Sequence, residues 1–185
     1  MAEYYLISQL PSLDALGDTA PLPITEERFF ELCRRFLGKK SQRELDALTL
    51  LPSKYPEKSS SALITAWNDG ERKLRFALAK IRAERLKKSF DSENESFPPE
   101  LLQITRTAVE SESPLEAEKL LNNYRLSFLE TLRPTDTFAE DYIFYYGLKL
   151  KLISRIRQFD KLKGESAYKN IYYSIINGER LEAVQ

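Results

Sequence analysis

Residues 137–159, TFAEDYIFYYGLKLKLISRIRQF, decide the fold of this chain. Wound at about 100° per residue, Leu148, Phe159, Leu152, Tyr145, Ile156, Tyr142, Ile153, Tyr146, Leu150 and Ile143 fill an arc of roughly 220°. A surface helix needs an apolar stripe of only ~100°. The segment is therefore expected at the centre of a bundle, sheathed by other helices, and the fold class it predicts is all-α.

The flanking sequence supplies the neighbours. Thr137-Phe138-Ala139-Glu140 reads as a capping box that opens the central helix. Ser113-Pro114-Leu115-Glu116 is another, with Pro at the favoured first position, and it starts a helix faced by Leu121, Tyr124, Phe128 and Leu132. On the far side, Lys163-Gly164 is expected to interrupt the chain. Beyond it Tyr168, Ile171, Tyr172, Ile175 and Ile176 repeat at i, i+3, i+4, i+7, i+8, and Gly178 closes that helix. The tyrosines at 142, 145, 146, 168, 172 and 173 read together as one aromatic cluster of the core.

Towards the N-terminus, one long basic helix is predicted over about 61–88. Asn68-Asp69-Gly70 could be a turn, but Leu63, Trp67, Leu74, Leu78 and Ile81 keep phase across it, which a broken helix has no reason to do. Thr25 caps a helix with Glu26 and Glu27 in its first turn, suited to the helix dipole. Its inner face holds Phe29, Cys33 and Phe36, and Gly38 ends it. Ser41-Gln42-Arg43-Glu44 reads as a third capping box, for a short helix through Leu51. Residues 4–10, YYLISQL, are too short to separate strand from helix. The whole chain, 1–185, reads as a single helical domain, with a division into two lobes placed near 89–98, where an acidic loop runs into Pro98-Pro99.

Composition removes much of the usual catalytic equipment. The chain has no histidine and a single cysteine, Cys33, so Ser-His and Cys-His nucleophile pairs, CxxC sites and imidazole metal ligands are excluded. Cys33 sits among Phe29, Leu32 and Phe36 and reads as core. The 6 glycines are scattered, with no phosphate-cradling pattern. Paired carboxylates such as Asp69 with Glu71 are explained by helix starts. No catalytic residue, metal or cofactor is expected, and no small-molecule substrate. The N-terminal sequence lacks a basic region and a long apolar run, and no stretch reaches the ~20 apolar residues of a membrane span. A cytoplasmic protein is expected, with any membrane association arising through a partner.

Net charge is zero, yet the charges are segregated: residues 71–88 hold eight Lys or Arg against two Glu, and residues 91–141 hold twelve Asp or Glu against four Arg or Lys. Such a dipole orients a molecule on charged partners. Opposite the apolar stripe of the basic helix lie Arg72, Phe76, Lys80 and Lys87, with Lys73 beside them. This is the candidate partner-binding surface, an aromatic anchor with a basic rim. The plainer alternative is that Phe76 packs against another helix of the same domain. Nucleic acid is a weaker reading, since aromatics are few there and no nucleic-acid motif is present.

The order of segments also carries a resemblance. Tyr4-Tyr5-Leu6-Ile7-Ser8 with Leu10-Pro11 opens it. Trp67 ahead of Leu74-Arg75 and Arg82-Ala83 follows, then Ser113-Pro114-Leu115-Glu116-Ala117-Glu118-Lys119-Leu120-Leu121. Tyr146-Gly147-Leu148-Lys149-Leu150-Lys151-Leu152, with Arg155 and Phe159-Asp160, completes it. Together they resemble a bacterial family of unknown function encoded beside the subunits of V-type (archaeal-like) ATPases, itself similar to a reduced C subunit (d in eukaryotes). The resemblance implies an all-helical, non-catalytic part of an ion-transporting complex, linking a central stalk to a membrane rotor and partnered by V-type ATPase subunits. The alternative function is a free-standing helical adaptor that binds an acidic protein or nucleic acid through the basic helix, 71–88.

Overall fold

The computed structural model describes residues 2–14, 21–55, 59–90, 96–159 and 161–182. Among these there are eight helices and no strand: α1 (Ala2–Gln9), α2 (Glu26–Phe36), α3 (Lys39–Asp46), α4 (Ala62–Arg85), α5 (Pro99–Glu110), α6 (Pro114–Thr131), α7 (Glu140–Gln158) and α8 (Lys161–Glu182). The all-α class holds, and residues 4–10 resolve as helix. Leu6 of α1 is fully buried, while Tyr4 stacks on Phe138 at 4.8 Å on the outside. Of the acidic loop near 89–98, positions 91–95 lie outside the described residues.

Helix α7 is the spine. Every residue from 143 to 150 is buried, Phe144 and Lys149 included, and α2, α3, α4 and α6 all pack on it. Gly147 lets the sheath come close: a Cβ there would lie 3.0 Å from Leu48 Cδ2 and 3.1 Å from Phe29 Cε1. The second half is less enclosed than the apolar arc predicts. Ile153 and Ile156 are half-buried and Phe159 is 43% exposed.

Helix α4 runs unbroken through Gly70, as its phase predicts. The structure adds the reason for glycine there, because a Cβ would collide with the Phe128 ring of α6. The helix is shorter than 61–88. Ser61 is its N-cap, accepting from Ile64 N at 3.2 Å, and the same hydroxyl donates to Asp141 of α7 at 2.6 Å. At the other end Lys88 N donates to Ala83 O at 2.9 Å and Lys87 N to Glu84 O at 3.1 Å. That is the Schellman pattern, with Lys87 at φ 53° where glycine is usual.

Two apolar cores share these helices. One gathers Leu63, Ile64, Trp67 and Leu129 with α1, α2 and α7. The other gathers Leu74, Leu78, Leu101, Ala108 and Leu121 between α4, α5 and α6. Between them, Glu71 of α4 accepts two hydrogen bonds from Arg125 of α6, at 2.9 and 3.0 Å, and Arg125 also donates to Asn122 Oδ1 at 3.0 Å. Both charged groups are buried, and Glu118 carries the network on to Arg155 of α7 at 2.7 Å.

Local signals give way where a longer-range partner competes. Thr25 and Ser113 cap α2 and α6 as read, each accepting from the amide three residues on. Ser41 does not cap α3, which begins at Lys39 behind Gly38 and ends at Asp46. Glu44 of that expected box instead takes Ser59 Oγ at 2.6 Å and Ser60 N at 3.1 Å, tying down the connector to α4. Gln42 turns back to donate to Leu37 O at 2.7 Å and Arg34 O at 2.9 Å, the loose carbonyls at the end of α2. Helix α7 begins at Glu140 with no side-chain cap, because Asp136 organises the preceding turn through Phe138 N at 2.9 Å. Gly164 and Gly178 both lie within α8 and stop nothing.

Candidate functional site

The predicted partner-binding residues occupy α4 unevenly. Arg72 is drawn into an ion pair with Asp69 one turn earlier, and its side chain is 11% exposed. Phe76 is half-buried and belongs to neither core. Lys80 sits over the Phe97 ring at 5.7 Å. Lys73 is exposed, and Lys87 lies past the helix end, off the row formed by residues 72, 76 and 80.

The outer end of α4 carries more unneutralised charge than that row. Arg82, Arg85, Lys87 and Lys88 are exposed around Leu86, itself 65% exposed. None of the four, nor Lys73 or Arg75, forms an ion pair among the described residues. Arg75 instead donates to Pro52 O at 2.9 Å and Arg85 to Val109 O at 2.5 Å. The carboxyl end of a helix favours cations through its dipole, so folding tolerates this cluster without needing it. The signal was present in the sequence as Arg82-Ala83-Glu84-Arg85-Leu86-Lys87-Lys88, but the expected helix boundary spread those cations around a face.

A second concentration of chemistry lies at the spine and was not anticipated. Lys149 Nζ donates to Asp14 Oδ1 and Glu130 Oε1, each at 2.6 Å, and lies 3.3 Å from Tyr145 OH. The Tyr145 hydroxyl donates to Glu130 at 2.8 Å, and Tyr146 OH to Pro11 O at 2.8 Å. Beside them Arg133 covers the Tyr145 ring at 5.9 Å, and Asp14, Arg133, Tyr145, Tyr146 and Lys149 line a cavity of about 290 Å³.

Burial works against the Lys149 charge, but its bonds to Asp14, Glu130 and Tyr145 outweigh it and raise the pKa. Lys149 in turn holds Asp14 below its ordinary 3.8. Burial pulls Glu130 upward, yet Lys149 and Tyr145 bring it below 4.5. Burial and the bond to Glu130 push Tyr145 up to about 12. A lysine kept protonated and a phenol kept neutral are poor proton carriers near neutral pH. Their bonds are already filled, and what they achieve is to strap residues 11–14 across α6 and α7. The hint in the sequence is a lysine between Leu148 and Leu150 in an otherwise apolar stretch.

Cys33 is fully buried and burial pushes its thiol up to about 12, as expected of a core cysteine. Among the described residues no group of three metal-binding side chains converges, and no helix is long and apolar enough to cross a membrane.

The expected aromatic cluster divides. Tyr145 and Tyr146 are buried and Tyr142 half-buried, whereas Tyr168, Tyr172 and Tyr173 of α8 are 67%, 48% and 59% exposed. Residues 91–179 match the model of a family described as a protein of unknown function (DUF2764). That segment covers α5, α6, α7 and most of α8, and leaves α4 outside. No curated protein and no solved structure matches the chain.

Proposed function

We propose that the protein is a non-catalytic helical subunit or assembly factor of a V-type (archaeal-like) ATPase, similar to the C (d) subunit, peripheral to the membrane through its complex. One observation carries the docking part of this reading. The outer end of α4 presents Arg82, Arg85, Lys87 and Lys88 around a single carboxylate, Glu84, and none of the four forms an ion pair among the described residues. Such a surface is matched by an acidic face on another protein. The rigid, doubly cored body and the occupied bonds around Lys149 agree with a part that holds and positions. The identity of the complex rests on the resemblance of the segments from Tyr4 to Asp160.

The test is purification of the tagged protein from its native host at low ionic strength. Rotary-ATPase subunits are expected in the eluate, and raising salt beyond ~0.5 M should release them, since surface charge is screened within a few ångströms there. The triple variant Arg82→Glu, Lys87→Glu, Lys88→Glu should lose them while staying folded, its stability lowered only by the ~1–3 kcal/mol that reversed charges at a helix carboxyl end cost. Absence of any rotary-ATPase subunit at low salt overturns the reading. Nucleic acid in their place would favour the free-standing adaptor.

A further inference from the structure

Helix α8 is a helix without a lining. From residue 164 to 176 every residue is exposed, on all sides of the helix. The apolar stripe predicted for the core is therefore bare: Tyr168 67%, Ile171 61%, Tyr172 48%, Ile175 55% and Ile176 36% exposed. Most helical stability in proteins comes from packing of an amphipathic face, and the two internal glycines weaken this helix by ~1 kcal/mol each. Nothing among the described residues covers that face.

We propose that the cover is a second copy of this chain, with the two α8 helices packed antiparallel about a two-fold axis. Area is the first argument. Taking about 200 Å² for a free aromatic or large aliphatic residue, the five stripe residues expose roughly 530 Å² per copy. That is near the upper limit for a monomer, ~300–600 Å², and about two-thirds of the ~800 Å² per partner of a standard interface. Charge is the second. By sequence, residues 161–169 of α8 hold three Lys against Glu165, and residues 170–182 hold Glu179 and Glu182 against Arg180, so antiparallel copies bring a net positive half against a net negative one, and opposed helix dipoles add to the preference. Shape is the third, since aligning Ile171 with Tyr172 of the other copy sets each Tyr168 against an Ile175, large against small. A two-fold interface of this kind is self-complementary and closes at two copies. It uses a surface remote in sequence from α4, so it stands or falls separately from the proposed ATPase role.

Sedimentation of the full chain tests it. The wild type should be dimeric at tens of micromolar, and Ile171→Glu with Ile175→Glu should weaken association at least ~100-fold, about tenfold for each ~1.4 kcal/mol. The unfolding midpoint of the body should not move, because neither side chain packs there. Orientation is read by disulfide trapping, with the buried Cys33 as a silent background. Ile171→Cys should cross-link between copies. Tyr168→Cys should not, since antiparallel pairing leaves those positions ~10 Å apart along the axis, beyond disulfide reach. A wild type that stays monomeric at tens of micromolar, or a dimer indifferent to both glutamates, overturns the proposal and leaves the stripe to a different protein. Cross-linking through Tyr168→Cys but not Ile171→Cys overturns the antiparallel arrangement.

Discussion

Helices α7 and α8 follow one another in the chain and are both rich in tyrosine and isoleucine, yet one is walled in and the other is bare. In α7, residues 143–150 are all buried; in α8, residues 164–176 are all exposed. The difference lies in how the apolar residues are spread. In α7 they take most of the circumference, so no single neighbour suffices and four helices gather round it. In α8 all but Tyr173 keep to one stripe, with Asn170 and Ser174 behind. A stripe states that one face needs a cover. It does not state whose chain provides it.

The contrast sharpens under substitution. The largest loss is expected inside the body from Glu71→Ala, which removes both carboxylate hydrogen bonds of the buried Arg125, leaves it Glu118 at 3.5 Å as its only carboxylate, and should cost ~3–5 kcal/mol in urea unfolding. Next comes a matched pair of truncations. Leu148→Ala on α7 removes a fully buried side chain and should cost ~2–5 kcal/mol. Ile175→Ala on α8 should stay within ~0.5 kcal/mol when the chain is measured dilute. Equal losses at both positions would break the comparison. Gly70→Ala forces a methyl against the Phe128 ring and should cost ~1–3 kcal/mol, partly recovered by Phe128→Leu.

Two smaller effects concern the edges of the body. Asp14 and Glu130 titrate below their ordinary 3.8 and 4.5 because Lys149 holds their charged forms. A carboxylate whose pKa is depressed by folding adds stability above its unfolded value and loses it as pH falls through the folded one. The Lys149 strap should therefore be intact at pH 7 and be lost only as pH falls past the ordinary carboxylate values of 3.8 and 4.5 into the acid range. Asp14→Asn should narrow the gap between urea midpoints at pH 7 and pH 3 without closing it, since Glu130 and Glu44 share the trend. Finally, Lys87→Gly should stabilise α4 by ~0.5 kcal/mol, the relief at a left-handed position less the added freedom of the unfolded chain.

Most of the fold was legible where a signal was periodic and long. The burial of Ile143, Tyr145, Tyr146, Leu148 and Leu150, the continuity of α4 across Gly70 and the Thr25 and Ser113 caps all follow from spacing alone. Capping boxes at Ser41 and Thr137 misled because Glu44, Gln42 and Asp136 had partners that local spacing does not reveal. Gly164 and Gly178 misled as breakers because a glycine lowers helix stability by an amount that neighbouring turns can absorb. The charge excess of α4 is plain in the sequence, but its crowding around Leu86 depends on the helix ending at Arg85, which the phase of the apolar stripe does not specify. The Lys149 network was not legible, since Asp14 and Glu130 are brought to it by tertiary packing.

The buried Glu71–Arg125 pair has a mechanical consequence. Oily surfaces can slide past one another at little cost, but a one-turn slip of α4 along α6, about 5.4 Å, would leave both ions facing hydrocarbon. The pair thus acts as a dowel between the two halves of the body, and through Glu118 and Arg155 it pins the spine as well. A push on the tip of α4 is then delivered to α7 as displacement of the whole strut rather than dissipated as creep along a greasy seam.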